Sequence, residues 1–330
     1  MIDIMIYDKK SGDLRTEVFD PENPLAYDPK DLGHRYWLEI FNERDPEVLE
    51  ALEEHFDLRP RALQDLARRS SPNFQDWGKS MSMVLHEVQG KSGSFPLRLP
   101  IQIGMVLKEN ILITIHGRVS HALQEQWKHA GNDLKRFQLE PSLQVYRIGD
   151  SIAQEIYAGL VGIEEESDKV DEKIFEGEYQ LSPNQLYRVK KTIISFRQIL
   201  LPQQEIFLNL SRSTTRYVSE LARHHFKGLF DQYSHYYQIN ESMNDLLNDA
   251  MNINLGKINT NLNHIMKTLT LFNALFLPLT FISSFFGMNF FGNTPELDVT
   301  LGFGWFIGVT AAALSLLLGL LFFTKRRKWF

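Results

Sequence analysis

The amino-acid sequence predicts an α/β domain at the N-terminus, a stalk of long helices behind it, and two membrane-spanning helices at the C-terminus. Three observations carry that expectation. Short β-branched and aromatic runs are confined to the first 117 residues. From Pro141 onward the apolar spacing turns helical and stays so over long stretches. Two uncharged apolar segments, 269–286 and 305–323, are each close to the ~20 residues that cross a bilayer core.

The predicted units follow the chain as 1–140 (cytosolic α/β domain), 141–265 (cytosolic helices and stalk), 266–324 (transmembrane hairpin, spans about 269–288 and 304–323) and 325–330 (basic cytosolic tail). In the first unit, runs 2–7, 36–41, 80–88, 99–107 and 111–115 have strand character. Glu109-Asn110 between the last two reads as a tight hairpin turn. Asp45-Pro46-Glu47 is a helix start, with Asp as N-cap and Pro at the first position. A second short helix is expected over 61–68, and 89–96 reads as a Gly/Ser loop.

The stalk begins with a helix over 141–177 that ends in an acidic stretch from Glu164 to Glu178. A charge run of this kind is most often a solvated helix face. Gly177 and Ser182-Pro183 mark a turn, and a second helix runs from 183 to 212, interrupted by Pro202. A third pattern begins near Ser213 and shows no clear stop before the membrane. Helices this long, polar on most faces, suit a stalk better than a globule.

Orientation comes from the basic residues. Lys257 and Lys267 precede the first span, Lys325-Arg326-Arg327-Lys328 follow the second, and no Lys or Arg lies between 268 and 324. Both termini are therefore expected in the cytoplasm of a cell (inner) membrane protein. The connecting loop carries only Glu296 and Asp298 as charges, which attract cations. The N-terminus has no apolar core behind positive charge, so no cleavable leader is expected.

Composition excludes several classes. The 43% hydrophobic and 23% charged residues look like a soluble average, which hides the apolar concentration at one end. A net charge of -6 argues against a nucleic-acid partner, whose binding needs a basic face. The absence of cysteine rules out disulfides, thiolate metal sites and thiol nucleophiles. Ten histidines show no ligand spacing with acids, so a zinc site is unsupported. With no nucleophile motif, phosphate loop or paired catalytic carboxylates, neither an enzyme nor a cofactor is expected.

Two helices cannot enclose a pathway, so transport requires several copies around an axis. Steps of three and four along the first span collect Asn263, Met266, Thr270, Asn273, Leu277, Thr280, Ser284 and Gly287, mostly polar or small. The flanking faces carry Leu271, Phe272, Leu275, Phe276, Leu279, Ile282 and Phe285. Such a seam suits a wet, narrow channel, with Met266 and Leu277 as dewetting constrictions. The same residue types also glue helices together without a channel.

Directly after this span comes FGMNFFGNTPEL (286–297), which resembles the Gly-Met-Asn signature of the CorA family of magnesium transporters and its following Pro-Glu-Leu. The upstream MKTLTLFNALFLPLTFISSFF and the closing KRRKWF are also similar to that family, with weaker similarity over DPEVLEALEEHFDLRPRALQDL and around Pro202. The resemblance implies a funnel-shaped homopentamer in membrane lipid whose first spans line the pore. It implies a selectivity filter of Gly287, Met288 and Asn289, with the Asn289 amides meeting the cargo through its hydration waters. Mg2+ is the implied cargo, with Co2+ and Ni2+ secondary. Neutral amides suit an ion that gives up its waters reluctantly.

The sequence departs from the family at Phe286, where Tyr is usual, and at Thr294, where Met is common. The family's regulatory metal bridges a loop carboxylate and one at the start of the stalk. Here 89–96 contains no acid and Lys91 sits near that position. Asp231 resembles the stalk-side carboxylate without its partner, and an ordinary solvated aspartate is the favoured reading. Two other functions stay open: a zinc transporter of the related ZntB branch, with proton coupling, and a membrane-anchored scaffold without transport. The ZntB branch typically has Ile where this chain has Met288.

Overall fold

The computed structural model of the protein describes residues 2–19, 27–88, 100–130, 138–176, 183–287 and 299–326. The chain divides into two compact units, Met1–Met251 and Asn252–Phe330.

The first unit is built on a seven-stranded sheet of order β2-β1-β3-β7-β6-β5-β4. The strands are β1 (Ile2–Asp8), β2 (Leu14–Val18), β3 (His34–Phe41), β4 (Asn73–Asp76), β5 (Met81–Glu87), β6 (Ile101–Leu107) and β7 (Ile111–His116). The expected hairpin is present: β6 and β7 pair antiparallel with Leu107 opposite Leu112, closed by Lys108 N–H to the Ile111 carbonyl at 2.9 Å. Among these strands β3 and β7 alone run parallel, from Tyr36 opposite Ile111 to Phe41 opposite His116. Strands β2 and β4 and helix α3 were not anticipated by the residue pattern. LRTEV and NFQD are edge strands that give the core only Leu14 and Phe74, both partly buried, so little burial pattern betrays them.

Alternation along β3 shows how the sheet separates two cores. Tyr36, Leu38 and Ile40 join Leu49 and Leu52 of α1 (Pro46–His55) and Leu63 and Leu66 of α2 (Ala62–Ala67) on one face. Trp37 points the other way, into a cluster with α3 (His121–His129) and α4 (Pro141–Glu176). Its indole donates to Thr114 Oγ1 at 3.2 Å across the parallel pair.

Each short helix is fixed at its start. Asp45 accepts the Glu47 N–H at 3.0 Å to cap α1, with Pro46 inside the first turn. The buried Glu53 carboxylate takes the N–H groups of Arg61, Leu63 and Gln64 at the head of α2. Ser120 caps α3 through the Leu123 N–H at 3.1 Å, and the fully buried Glu87 accepts the His121 N–H at 2.9 Å.

Helices α4, α5 (Pro183–Arg212) and the first part of α6 (Glu220–Gly287) share the second core. A Cβ at Gly159 would come within 2.6 Å of the Phe196 ring, so α4 and α5 approach at a distance only glycine permits. Two helix expectations change here. α5 is not interrupted at Pro202: one ladder bond is lost there, while Ile199, Leu200, Ile206 and Phe207 hold both halves on the same core. α6 starts at Glu220, not near Ser213, because Val218 N–H turns back to the Thr215 carbonyl and Ser219 Oγ takes the Ala222 N–H at 3.2 Å.

In the second unit the remainder of α6 continues to Gly287, and α7 spans Val299–Arg326, beyond the apolar run at both ends. Among the described residues, α6 is long and apolar enough to cross a membrane, and none of its apolar window is buried within the chain.

Candidate functional site

The last turns of α6 carry the residues singled out by spacing. At 100° per residue, Asn263, Met266, Thr270, Asn273, Leu277, Thr280, Ser284 and Gly287 fall within an arc of about 120°. All eight are solvent-exposed in the single chain. So are Phe272, Phe276, Phe281 and Phe285 on the other faces. Between Asn263 and Gly287, Ile282 is the one buried side chain among the described residues.

Two threonine hydroxyls on this edge satisfy their donors locally. Thr270 donates to the Met266 carbonyl at 2.7 Å and Thr280 to the Phe276 carbonyl at 2.8 Å. Each of these hydroxyl oxygens keeps acceptor capacity for a further donor. Pro278 lies inside the helix and leaves the Ala274 carbonyl without its ladder partner, a further acceptor at this level.

At the start of this stretch a shallow concavity is lined by Thr260, Asn263, His264, Met266, Lys267 and Thr270. It brings together three of the predicted stripe residues. His264 and Lys267 are neighbours that the polarity pattern did not single out, because both lie on exposed helix surface where such residues are unremarkable. Gly287 is the last residue of α6. Met288, Asn289, Glu296 and Asp298 lie outside the described residues, as do the loop 89–96 and the tail 327–330.

Asp231 is exposed on α6, two residues before the fully buried Tyr233. Among the described residues no three His, Asp or Glu side chains gather as a metal-ligating set. Acids do approach one another on α3, α4 and β5. Burial, then the charge of Glu87, holds the Glu155 carboxyl above its ordinary value. Burial also raises Asp150, which accepts from Gln154 at 3.1 Å.

Residues 33–327 match the family model described as CorA-like Mg2+ transporter protein. The chain is 21% identical over 314 residues to the cobalt/magnesium transport protein CorA of Thermotoga maritima, covering 94% of this chain and 87% of that protein. It is similar to the complete structure of the CorA magnesium transporter from Methanocaldococcus jannaschii, with a TM-score of 0.75, 18% identity and 96% of each chain covered. The ZntB cytoplasmic domain from Vibrio parahaemolyticus aligns with a TM-score of 0.59 at 16% identity, over 78% of this chain and 99% of that one. At such identities these likenesses establish the fold: an α/β soluble domain joined to a long helix.

Proposed function

The chain belongs to the CorA family of divalent cation transporters, which are not enzymes, and from that premise we propose that it conducts Mg2+ inward through a ring of its own copies. The observation that carries this reading is the exposed hydrophilic edge that runs through the apolar C-terminal stretch of α6. Lipid satisfies the Leu and Phe faces. The Asn, Thr and Ser edge needs water, and a closed ring of identical helices supplies it. Five copies is the number the resemblance implies.

In this reading α6 from Leu269 onward is the first span and α7 the second. Both ends of the hairpin lie on the cytosolic side with Lys257 and Lys267, and the loop with Glu296 and Asp298 faces outward. Asn289 at the outer mouth hydrogen-bonds the waters of Mg2+ through its amide. A carboxylate there would hold the ion too long. Thr270, Asn273, Thr280 and Ser284 offer acceptors along the way, while Met266 and Leu277 narrow and dry the path. The membrane potential drives entry, at ~4.6 kcal/mol per 100 mV for two charges.

The test is metal-by-metal flux of the full chain in proteoliposomes under an inside-negative potential, with and without a pH gradient. Mg2+ entry lost in Asn289→Ala is the expected result. Zn2+ entry that requires a proton gradient, with no Mg2+ entry, replaces magnesium by zinc. No flux of any divalent ion leaves a membrane-anchored scaffold and removes the pore.

A further inference from the structure

The sheet contains a topological switch point that ion conduction does not use. From the carboxyl end of β3 the chain turns into α1, which packs on the face of Leu38 and Ile40. From the carboxyl end of the adjacent, parallel β7 it turns into α3, which packs on the opposite face with Trp37. Two parallel neighbours whose connections leave to opposite sides open a crevice between them, where α/β sheets hold ligands. The strands end together here, with Asn42 N–H bonded to the His116 carbonyl at 2.9 Å and Asn42 at a φ of 53°.

A cavity of about 500 Å³ occupies this place, within the size range of small-molecule sites. Its wall brings together three arginines from three separate segments: Arg44 after β3, Arg69 after α2 and Arg118 after β7. Arg44 reaches across the crevice, its Nη2 lying 3.9 Å from where a Cβ of Gly117 would stand. Arg44 and Arg69 form no ion pair among the described residues. Arg118 donates to the Pro100 carbonyl. Ser70 also lines the cavity, held in place by its N–H bond to the Gln102 side chain at 2.9 Å.

The opposing charge is limited and partly committed. Glu43 also lines the cavity, but one of its oxygens accepts the N–H groups of Arg44 and Asp45 at 3.0 and 3.1 Å. Glu39 is engaged by His116 at 3.0 Å. His86 is held below its ordinary value by burial and adds no charge near neutral pH. Three guanidiniums against the one carboxylate of Glu43 line this half-open cavity, an excess of positive charge.

We propose that the crevice at the carboxyl ends of β3 and β7 binds a small phosphate-bearing anion, gripped by Arg44, Arg69 and Arg118. Guanidinium forks match the tetrahedral oxygens of phosphate two at a time. Three of them converging on one cavity suit a phosphate chain better than a single carboxylate. The cavity's volume suits one small molecule. The ligand's source is a free polyphosphate or the phosphate chain of a nucleotide.

Calorimetric titration of the detergent-solubilised full chain in metal-free buffer tests this, with pyrophosphate, inorganic phosphate, ATP and adenosine as probes. Saturable pyrophosphate binding is expected, weakened about tenfold for each guanidinium removed in Arg44→Gln and Arg69→Gln. Both side chains are exposed, and unchanged circular dichroism and oligomer size show that the variants fold. Lys128→Gln, an exposed charge outside the crevice, leaves binding unchanged. ATP binding tighter than pyrophosphate, with adenosine competing, identifies a nucleotide; equal binding without adenosine competition identifies a free phosphate chain. No saturable binding of any phosphate probe overturns the proposal, and so does binding that Lys128→Gln weakens as much as the arginine variants do.

Discussion

Gln203 and Tyr233 meet in the buried core, the Gln203 amide donating to the Tyr233 hydroxyl at 3.3 Å. The same amide's oxygen accepts the His86 backbone N–H of β5 at 2.5 Å. One side chain beside Pro202 therefore ties the sheet, α5 and α6 together. Gln203→Leu keeps the volume and removes both bonds, stranding the His86 N–H. A loss of about 1–3 kcal/mol in stability is expected, measured by denaturant unfolding of the soluble unit's signal.

The exposed edge of α6 is expected to be wet in the assembled protein. The chain has no cysteine, so each introduced one is unique. Thr270→Cys, Asn273→Cys and Thr280→Cys should react with a membrane-impermeant thiol reagent, while Phe272→Cys and Phe276→Cys in the lipid faces should not. Equal protection of all five removes the water-filled edge.

His86 carries a pH dependence. Burial holds its folded-state value below the ordinary 6.5 of the unfolded chain, and its Nε2–H donates to the Ser70 carbonyl at 2.8 Å. As pH falls below 6.5 the unfolded chain takes up the proton first, so this contribution to stability is present above that pH and is lost on acidification. His86→Gln keeps a donor for Ser70 and cannot titrate. The unfolding midpoint of the unaltered protein should therefore drop more between pH 7.5 and 5.5 than that of the variant.

The packing of α2 on the sheet leaves no room at Gly104. A Cβ there would lie 2.8 Å from both Leu66 Cβ and Ile115 Cγ2. Gly104→Ala should cost about 1–3 kcal/mol by overpacking, read by thermal or denaturant unfolding. It should also alter the crevice wall, since Leu66 and Ile115 line it.

Much of this architecture was legible in the residues. The strands centred on Ile4, Leu38, Val84, Met105 and Ile113 are apolar on both faces because helices cover both sides of the sheet. The helix start at Asp45-Pro46 and the turn at Glu109-Asn110 are chemical signals that survive without tertiary context. What escaped was set by context. α3 is a nine-residue helix with a good N-cap in Ser120, yet HALQEQWKH has too few apolar positions to stand out. Pro202 breaks a helix by local rules, and only the shared core explains why α5 continues. On α6 the edge was read from periodicity alone. The switch-point crevice was invisible, because Arg44, Arg69 and Arg118 are scattered surface arginines until strand order brings them together.

The two edge strands have a consequence for how copies of this chain can associate. β2 presents Arg15, Thr16, Glu17 and Val18 outward, and β4 is four residues long and ends at Asp76. Neither border offers a long, flat, greasy rim onto which a second chain could lay another strand. Growth by sheet extension is thereby discouraged at both of these strands.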